Sequence, residues 1–140
     1  MITNVVTKEL MNEFINTQFP QSKITVEYVD GESATIRHKI TEAELRPGGT
    51  VAGPVMFLVA DCALYVGILG RIGIVPLAVT TNMNINFLRK PSADRDIIGV
   101  CKLIKVGKTL AIGEVSVYSE GLPDPVAHAV GTYAIPPRKN

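Results

Sequence analysis

A single carboxylate in an uncharged apolar segment is the side chain best placed to do chemistry. Asp61 is the only charged residue between Val51 and Leu69. A carboxylate among apolar side chains is costly unless it is hydrogen-bonded, paired or protonated. Such a group is suited to act as a general base or acid. The alternative is a structural aspartate that accepts a hydrogen bond at the edge of the helix.

The start of the same segment offers a second chemical feature. Gly53 and Pro54 precede the apolar run, and proline is favoured in the first turn of a helix. Free N–H groups there, aided by the helix dipole, can polarise a carbonyl or hold an anion, although a Gly-Pro start also occurs for structural reasons alone. Eight residues of helix separate Gly53 from Asp61 by about 12 Å. If both contact one substrate carbonyl, they must come from different subunits, which predicts a homodimer as the minimum unit.

The other polar candidates have weaker patterns. His38 and His128 lie in separate predicted strands without metal-ligand spacing, and we interpret both as ordinary strand residues. Arg89 and Lys90 follow a predicted strand, where they meet a phosphate or form a solvated loop. We find no nucleotide-binding loop and no G-x-S-x-G motif. No metal and no cofactor is expected.

The elements that must position these residues follow from hydrophobic periodicity and turn signals. Asp30-Gly31 between two β-branched runs predicts a hairpin. We predict helices at 5–18, with Thr7 as N-cap, and at 54–73, and strands at 24–30, 33–40, 77–88, 96–106, 108–120 and 126–135. The predicted order is helix, hairpin, long buried helix and four strands in a meander-like run. This is an α+β fold with a largely antiparallel six-stranded sheet.

Alternation within two strands predicts their faces. One face of the strand at 77–88 is predicted to be polar and the other apolar, with Thr80, Asn82, Asn84 and Asn86 opposite Met83, Ile85 and Phe87. We interpret the polar face as a hydrogen-bonding or interfacial surface. The last strand has a small-residue face, formed by Ala127, Ala129 and Gly131, against which a helix can lie.

Composition limits the class of protein. The 140 residues predict a single domain, 1–140, with an N-terminal helix in 1–20 and a core in 21–137. A net charge of +1 argues against a nucleic-acid-binding module, and 46% hydrophobic residues argue against disorder. The segment at 51–69 is long enough to span a bilayer, but its central carboxylate favours a buried helix over that alternative. Cys62 and Cys101 form no disulfide framework and no secretory signal is visible, so we expect a cytoplasmic protein.

Two segments resemble a known family. The run T-V-A-G-P-V-M-F-L-V-A-D (50–61) and the later N-M-N-I-N-F-L-R-K-P (82–91) are similar to the hotdog-fold acyl-CoA thioesterases of the phenylacetate-pathway (PaaI-like) type, over about residues 22–136. The resemblance implies a long central helix wrapped by a six-stranded antiparallel sheet. It also implies homodimers that commonly assemble as homotetramers, and hydrolysis of acyl- or aryl-CoA thioesters without a metal.

The resemblance also assigns roles to individual residues. It implies that Asp61 is the base or nucleophile at the thioester carbon and that the Gly53 N–H polarises the carbonyl from the neighbouring subunit. Thr80 takes the place of a hydroxyl that positions water. The remaining expected substrate or CoA contacts are Arg46, Pro54, Asn82, Arg89 and Lys90, of which the last two meet the CoA phosphates.

The chain departs from the family pattern at the start of the helix. Many members have His-Gly-Gly where this chain has Ala52-Gly53-Pro54, and many have an asparagine where Arg46 lies. We therefore expect an acyl-CoA thioesterase and keep two alternatives open. One is a non-catalytic acyl-CoA or acyl-ligand binding protein on the same fold, and the other is a structural oligomer with a vestigial site.

Overall fold

The computed structural model describes residues 6–137, in which two α-helices and six β-strands form one layered unit. The helices are α1 (Lys8–Gln18) and α2 (Gly53–Ile72), and a short 3-10 turn (Glu42–Glu44) precedes α2. The strands are β1 (Ile24–Val29), β2 (Ser33–His38), β3 (Val79–Phe87), β4 (Ile97–Val106), β5 (Leu110–Ser119) and β6 (Ala127–Ala134). The predicted α+β class, the hairpin and the long central helix are all confirmed.

The strand order corrects one prediction. The sheet runs β1-β2-β4-β5-β6-β3, with every neighbouring pair antiparallel. Only β4, β5 and β6 form a meander. β3 pairs with β6 instead of β4, and the chain crosses to the other side of the sheet before β4 begins beside β2. Local alternation decides which residues form strands, whereas pairing is decided by how the sheet encloses α2.

Helix α2 fills the concave side of the sheet. Ten of its residues are buried: Met56, Val59, Ala60, Ala63, Leu64, Val66, Gly67, Ile68, Leu69 and Gly70. Glycines in the facing strands allow this close approach, because a Cβ on Gly99 would lie 2.8 Å from Val59 and one on Gly131 would lie 2.7 Å from Leu64. By length and composition this helix could cross a membrane. In the fold it is the core helix, as the sequence analysis favoured.

A β-bulge in β3 corrects the second prediction. The register with β6 shifts between Thr80 and Asn82, so Thr80 is opposite Tyr133 whereas Asn82 is opposite Thr132. An extra residue reverses the alternation of faces. Thr80 therefore shares the inner face with Met83 and Ile85, and not the outer face with the three asparagines. The bulge turns the Thr80 hydroxyl toward α2.

Side-chain hydrogen bonds cap helix α1 and join it to β1. Thr7 caps the helix by accepting a hydrogen bond from the Leu10 N–H at 3.2 Å, as predicted. The Asn12 side chain then exchanges two hydrogen bonds with the backbone of Val26, at 2.9 and 2.8 Å. Val5, included in the predicted helix, lies outside the described residues.

The buried carboxylate of Glu44, in the turn that precedes α2 along the chain, predicts that the stability of the fold depends on pH. Glu44 accepts hydrogen bonds from Lys23 Nζ at 2.6 Å and from the Thr41 N–H at 2.6 Å. Burial alone raises the pKa of Glu44, but these bonds outweigh it and lower that pKa from 4.5 to about 2. The folded-state pKa is below the unfolded one, so the stabilisation is complete above about pH 4.5 and is lost as the pH falls toward 2.

Denaturant unfolding at several pH values tests this contribution. We expect Glu44→Gln to lower the free energy of unfolding at pH 7 by about 1.5–3 kcal/mol, the usual worth of hydrogen bonds to a charged group. The variant should also lose less stability than the wild type between pH 5 and pH 3. Parallel stability curves for the two proteins would contradict the assignment.

Candidate active site

A cavity of about 880 Å³ opens between α1, α2 and the beginnings of β1 and β3. One side is apolar and partly aromatic, with Phe19, Leu58 and Tyr65 among its lining residues. Asp61 from the middle of α2, Thr80 from β3 and Tyr133 from β6 also line it. The cavity therefore combines an apolar wall with a small polar cluster, as is typical of small-molecule sites.

The polar cluster is centred on the Asp61 carboxylate. Thr80 Oγ1 donates a hydrogen bond to Asp61 Oδ1 at 2.7 Å, and Tyr133 Oη donates to the same oxygen at 2.7 Å. The side-chain hydrogen bonds that Asp61 accepts from residues 6–137 thus both fall on Oδ1. This arrangement leaves Oδ2 to interact with a ligand or with water. The carboxylate is half-buried, and a carboxylate held in this way is able to act as a base or a nucleophile.

Cys62, the neighbour of Asp61 on α2, also lines the cavity. Burial, reinforced by the Asp61 charge, raises the pKa of the Cys62 thiol to about 12. The thiolate is the nucleophilic form of cysteine, so a raised pKa makes Cys62 a weak nucleophile at neutral pH.

The start of α2 lies apart from this cluster. Pro54 has no N–H, and the Val55 N–H donates to the Ala52 carbonyl at 3.0 Å. Gly53, as the first residue of α2, has an N–H with no acceptor inside the helix. Neither Gly53 nor Pro54 lines the cavity that contains Asp61. Within one chain, the two features predicted to act on one carbonyl are about 12 Å apart along the helix.

The structure brings Thr80 to Asp61 but places the other expected substrate contacts elsewhere. Arg46 is exposed in the loop before α2, and Asn82 is exposed on the outer face of β3. Arg89 and Lys90 are exposed just beyond the end of β3. The Arg89 guanidinium donates from Nε to the Pro125 carbonyl at 2.8 Å. The roles of these residues toward a substrate stay predictions.

Tyr133 and His38 are among the cavity-lining residues that the sequence analysis did not identify as site residues. Tyr133 continues the inner-face series Ala127, Ala129, Gly131 by one step, so the alternation in β6 was a signal that could have found it. His38 was interpreted as an ordinary strand residue, and it lines the cavity with 5% of its surface exposed. Its Nδ1 lies 2.8 Å from the Lys39 carbonyl. No local signal distinguishes His38 from other inward-facing strand residues.

Metal-ligating side chains do not cluster in the part of the chain that the structure describes. Within residues 6–137, no group of three or more His, Cys, Asp or Glu side chains lies close enough together to hold a metal ion.

Comparison with known proteins gives one family. The sequence profile of the thioesterase superfamily matches residues 48–125. A crystal structure of a Silicibacter protein with an inferred thioesterase function is 40% identical and has a TM-score of 0.89, covering 97% of this chain and 96% of that one. None of the curated protein sequences matches the chain significantly.

Two more distant structures share the fold. Zebrafish thioesterase superfamily member 2 is 20% identical with a TM-score of 0.83, and the match covers 94% of this chain and 99% of that one. A variant of the phenylacetic acid degradation protein PaaI from Thermus thermophilus is 20% identical with a TM-score of 0.73, and covers 89% of this chain and 99% of its own.

Proposed function

Because the chain belongs to the thioesterase superfamily and has the hotdog fold, we propose that it is a PaaI-like enzyme that hydrolyses an acyl- or aryl-CoA thioester to the free acid and coenzyme A. The observation that carries this proposal is the Asp61 carboxylate, held through Oδ1 by Thr80 and Tyr133 at the edge of an apolar cavity. An apolar wall suits an acyl or aryl group, and an oriented carboxylate suits attack on its thioester carbon.

In the proposed reaction Asp61 activates a water molecule. The Asp61 carboxylate takes one proton from the water molecule while the water oxygen bonds to the thioester carbon. The carbonyl oxygen of the thioester becomes an oxyanion. The Gly53 N–H of the neighbouring subunit and the dipole of its α2 stabilise that charge. The carbon–sulfur bond then breaks, and the proton held by Asp61 goes to the leaving thiolate. The products are the acid and the free thiol of coenzyme A.

Direct attack by Asp61 is the alternative mechanism. The carboxylate would form a mixed anhydride with the acyl group, which water then hydrolyses. A single turnover in ¹⁸O-labelled water tests direct attack followed by hydrolysis at the Asp61 carboxyl carbon. Incorporation of the label into Asp61 indicates this route, and an unlabelled Asp61 excludes it.

The two-subunit site is part of the proposal. Since Gly53 and Asp61 are about 12 Å apart along one helix, a carbonyl that contacts both needs a second chain. β3 is an edge strand of the six-stranded sheet, and its outer backbone groups are available to pair with a partner. Arg89 and Lys90, exposed at the end of this strand, are proposed to meet the CoA phosphates.

The proposed assembly is a homodimer as the minimum unit and a homotetramer as the complete protein. The proposed location is the cytoplasm, where the two free thiols, Cys62 and Cys101, stay reduced. We propose that no metal or separate cofactor takes part, since coenzyme A enters as part of the substrate.

A panel assay tests the function. Short, medium, long and aryl acyl-CoA esters are incubated with the purified protein, and release of the free CoA thiol is followed. The thioesterase proposal requires turnover with at least one ester. A folded, oligomeric protein that releases no thiol from any ester would contradict it.

The altered start of α2 supports a second candidate. Ala52 provides no side-chain hydrogen bond to cap the helix, and Ala52-Gly53-Pro54 lacks the polar side chain found there in many related enzymes. A non-catalytic acyl-CoA-binding protein would need only the cavity and the CoA contacts. It predicts saturable binding without product, with little change in affinity in Asp61→Asn.

A further inference from the structure

Beyond these roles, we infer that Tyr133 is the positioning residue for the Asp61 carboxylate. This inference rests on the proposed function, because it assigns Tyr133 to the orientation of the group that attacks or activates water. The phenol, together with Thr80, holds one carboxylate oxygen so that the other faces the substrate.

The Tyr133 hydroxyl lies within hydrogen-bond distance of two Asp61 oxygens. It donates to Asp61 Oδ1 at 2.7 Å and lies 3.3 Å from the Asp61 main-chain carbonyl. Thr80 donates to the same Oδ1 at 2.7 Å from the opposite position on β3. Two donors that converge on one oxygen fix both the direction and the rotation of the carboxylate.

The phenol remains a donor over the working pH range. Tyr133 is 3% exposed. Burial is the largest cause that raises its pKa above the usual value, and the Asp61 charge adds to it. A protonated phenol keeps the hydrogen that it donates to Asp61, in agreement with the contact at 2.7 Å.

A chain of aromatic rings holds Tyr133 in place. The Tyr65 ring lies 5.9 Å from the Tyr133 ring, and the Tyr65 hydroxyl donates to the Pro76 carbonyl at 3.2 Å. The ring centroids of Phe14 in α1 and of Phe19, the C-cap of α1, lie 6.3 and 6.4 Å from that of Tyr65. Aromatic rings with centroids at such distances attract one another. The orientation of Asp61 is in this way coupled to the docking of α1 over the cavity.

Tyr133→Phe tests the inference because it removes one oxygen and keeps the ring. We expect kcat for the best CoA ester to fall by about 10-fold, since a small misplacement of a reacting group has large effects on rate. KM should change by less than about twofold, because the phenol does not need to contact the substrate. Tyr28→Phe is the matched control, because it also removes a tyrosine hydroxyl that donates to a carboxylate, that of Asp30, at 2.8 Å. Tyr28 is 51% exposed and does not line the cavity.

A crystal structure of Tyr133→Phe gives a second readout that does not depend on turnover. We expect the Asp61 carboxylate to rotate away from its wild-type orientation or to occupy two conformers. An unchanged single conformer, or a kcat equal to that of Tyr28→Phe, overturns the positioning role. If the wild type hydrolyses no ester, the proposed function fails, and the Asp61 conformers still decide whether Tyr133 orients the carboxylate.

Discussion

Asp61→Asn is expected to lower kcat/KM for the best CoA ester by at least about 10²-fold, the lower range for loss of a general base. An amide cannot take a proton from water and cannot form an anhydride. The fold should be retained, because the amide oxygen can still accept from Thr80 and Tyr133, which both donate to Oδ1 in the wild type. The amide NH₂ then takes the place of Oδ2. The measurement is thiol release under the same conditions for wild type and variant.

The same substitution at another aspartate distinguishes the loss of the Asp61 carboxylate from the loss of one negative charge. Asp94→Asn makes the same substitution in an exposed loop and should leave kcat/KM within about twofold of the wild type, as is usual for surface changes far from a site. Near-normal turnover by Asp61→Asn, with its melting temperature unchanged, would exclude both mechanisms proposed for Asp61.

Gly53→Pro is expected to reduce kcat by about 10²- to 10³-fold, the usual effect of removing one oxyanion donor. The change deletes the N–H proposed to polarise the carbonyl. Proline is favoured at the first helical position, and the restriction that Pro54 places on a side chain at position 53 applies equally to the Gly53→Ala control below. Ala52 already has the extended conformation that a following proline requires, with φ −68° and ψ 145°. A Cβ at position 53 meets the Phe87 ring at an ordinary 3.6 Å.

Gly53→Ala is the control for this change, since it adds the Cβ but keeps the N–H. A smaller loss in Gly53→Ala than in Gly53→Pro assigns the effect to the N–H. Equal losses would assign it to steric hindrance and would refute the oxyanion role.

Mixing the two inactive variants tests the shared site. When Asp61→Asn and Gly53→Pro chains are co-expressed with different tags, half of the randomly assorted dimers are heterodimers, each with one intact site. About a quarter of the wild-type activity should therefore return in a symmetric dimer. No recovery would contradict a site shared between Gly53 of one subunit and Asp61 of the other.

Local signals in the sequence were sufficient to predict the elements and their class. The Asp30-Gly31 turn, the apolar run after Gly53 and the alternation of the later strands depend on neighbouring residues only. Asp61 was identified for the same reason, since a lone carboxylate in an apolar helix is visible without any tertiary information.

The arrangement of the site depended on contacts between distant segments. The pairing of β3 with β6 and the bulge after Thr80 are set by how the sheet closes around α2, and together they decide which residue faces Asp61. Tyr133 was missed because its role exists only in that register, where it lies opposite Thr80. The alternation in β6 placed Ala129 and Gly131 on the inner face, but it could not predict that Tyr133 contacts Asp61.

The position of β3 at the far edge of the sheet has a consequence for the order of folding. The β4–β5 and β5–β6 pairs connect segments that are adjacent along the chain, so they form with little loss of loop entropy. Two pairings instead join distant segments. Phe87 of β3 pairs with Ala127 of β6, and His38 of β2 pairs with Ile97 of β4, and such non-local pairing is slow. Asp61, Thr80 and Tyr133 come together only when β3 has docked on β6. In refolding experiments we therefore expect hydrolytic activity to return after the circular dichroism signal of the sheet.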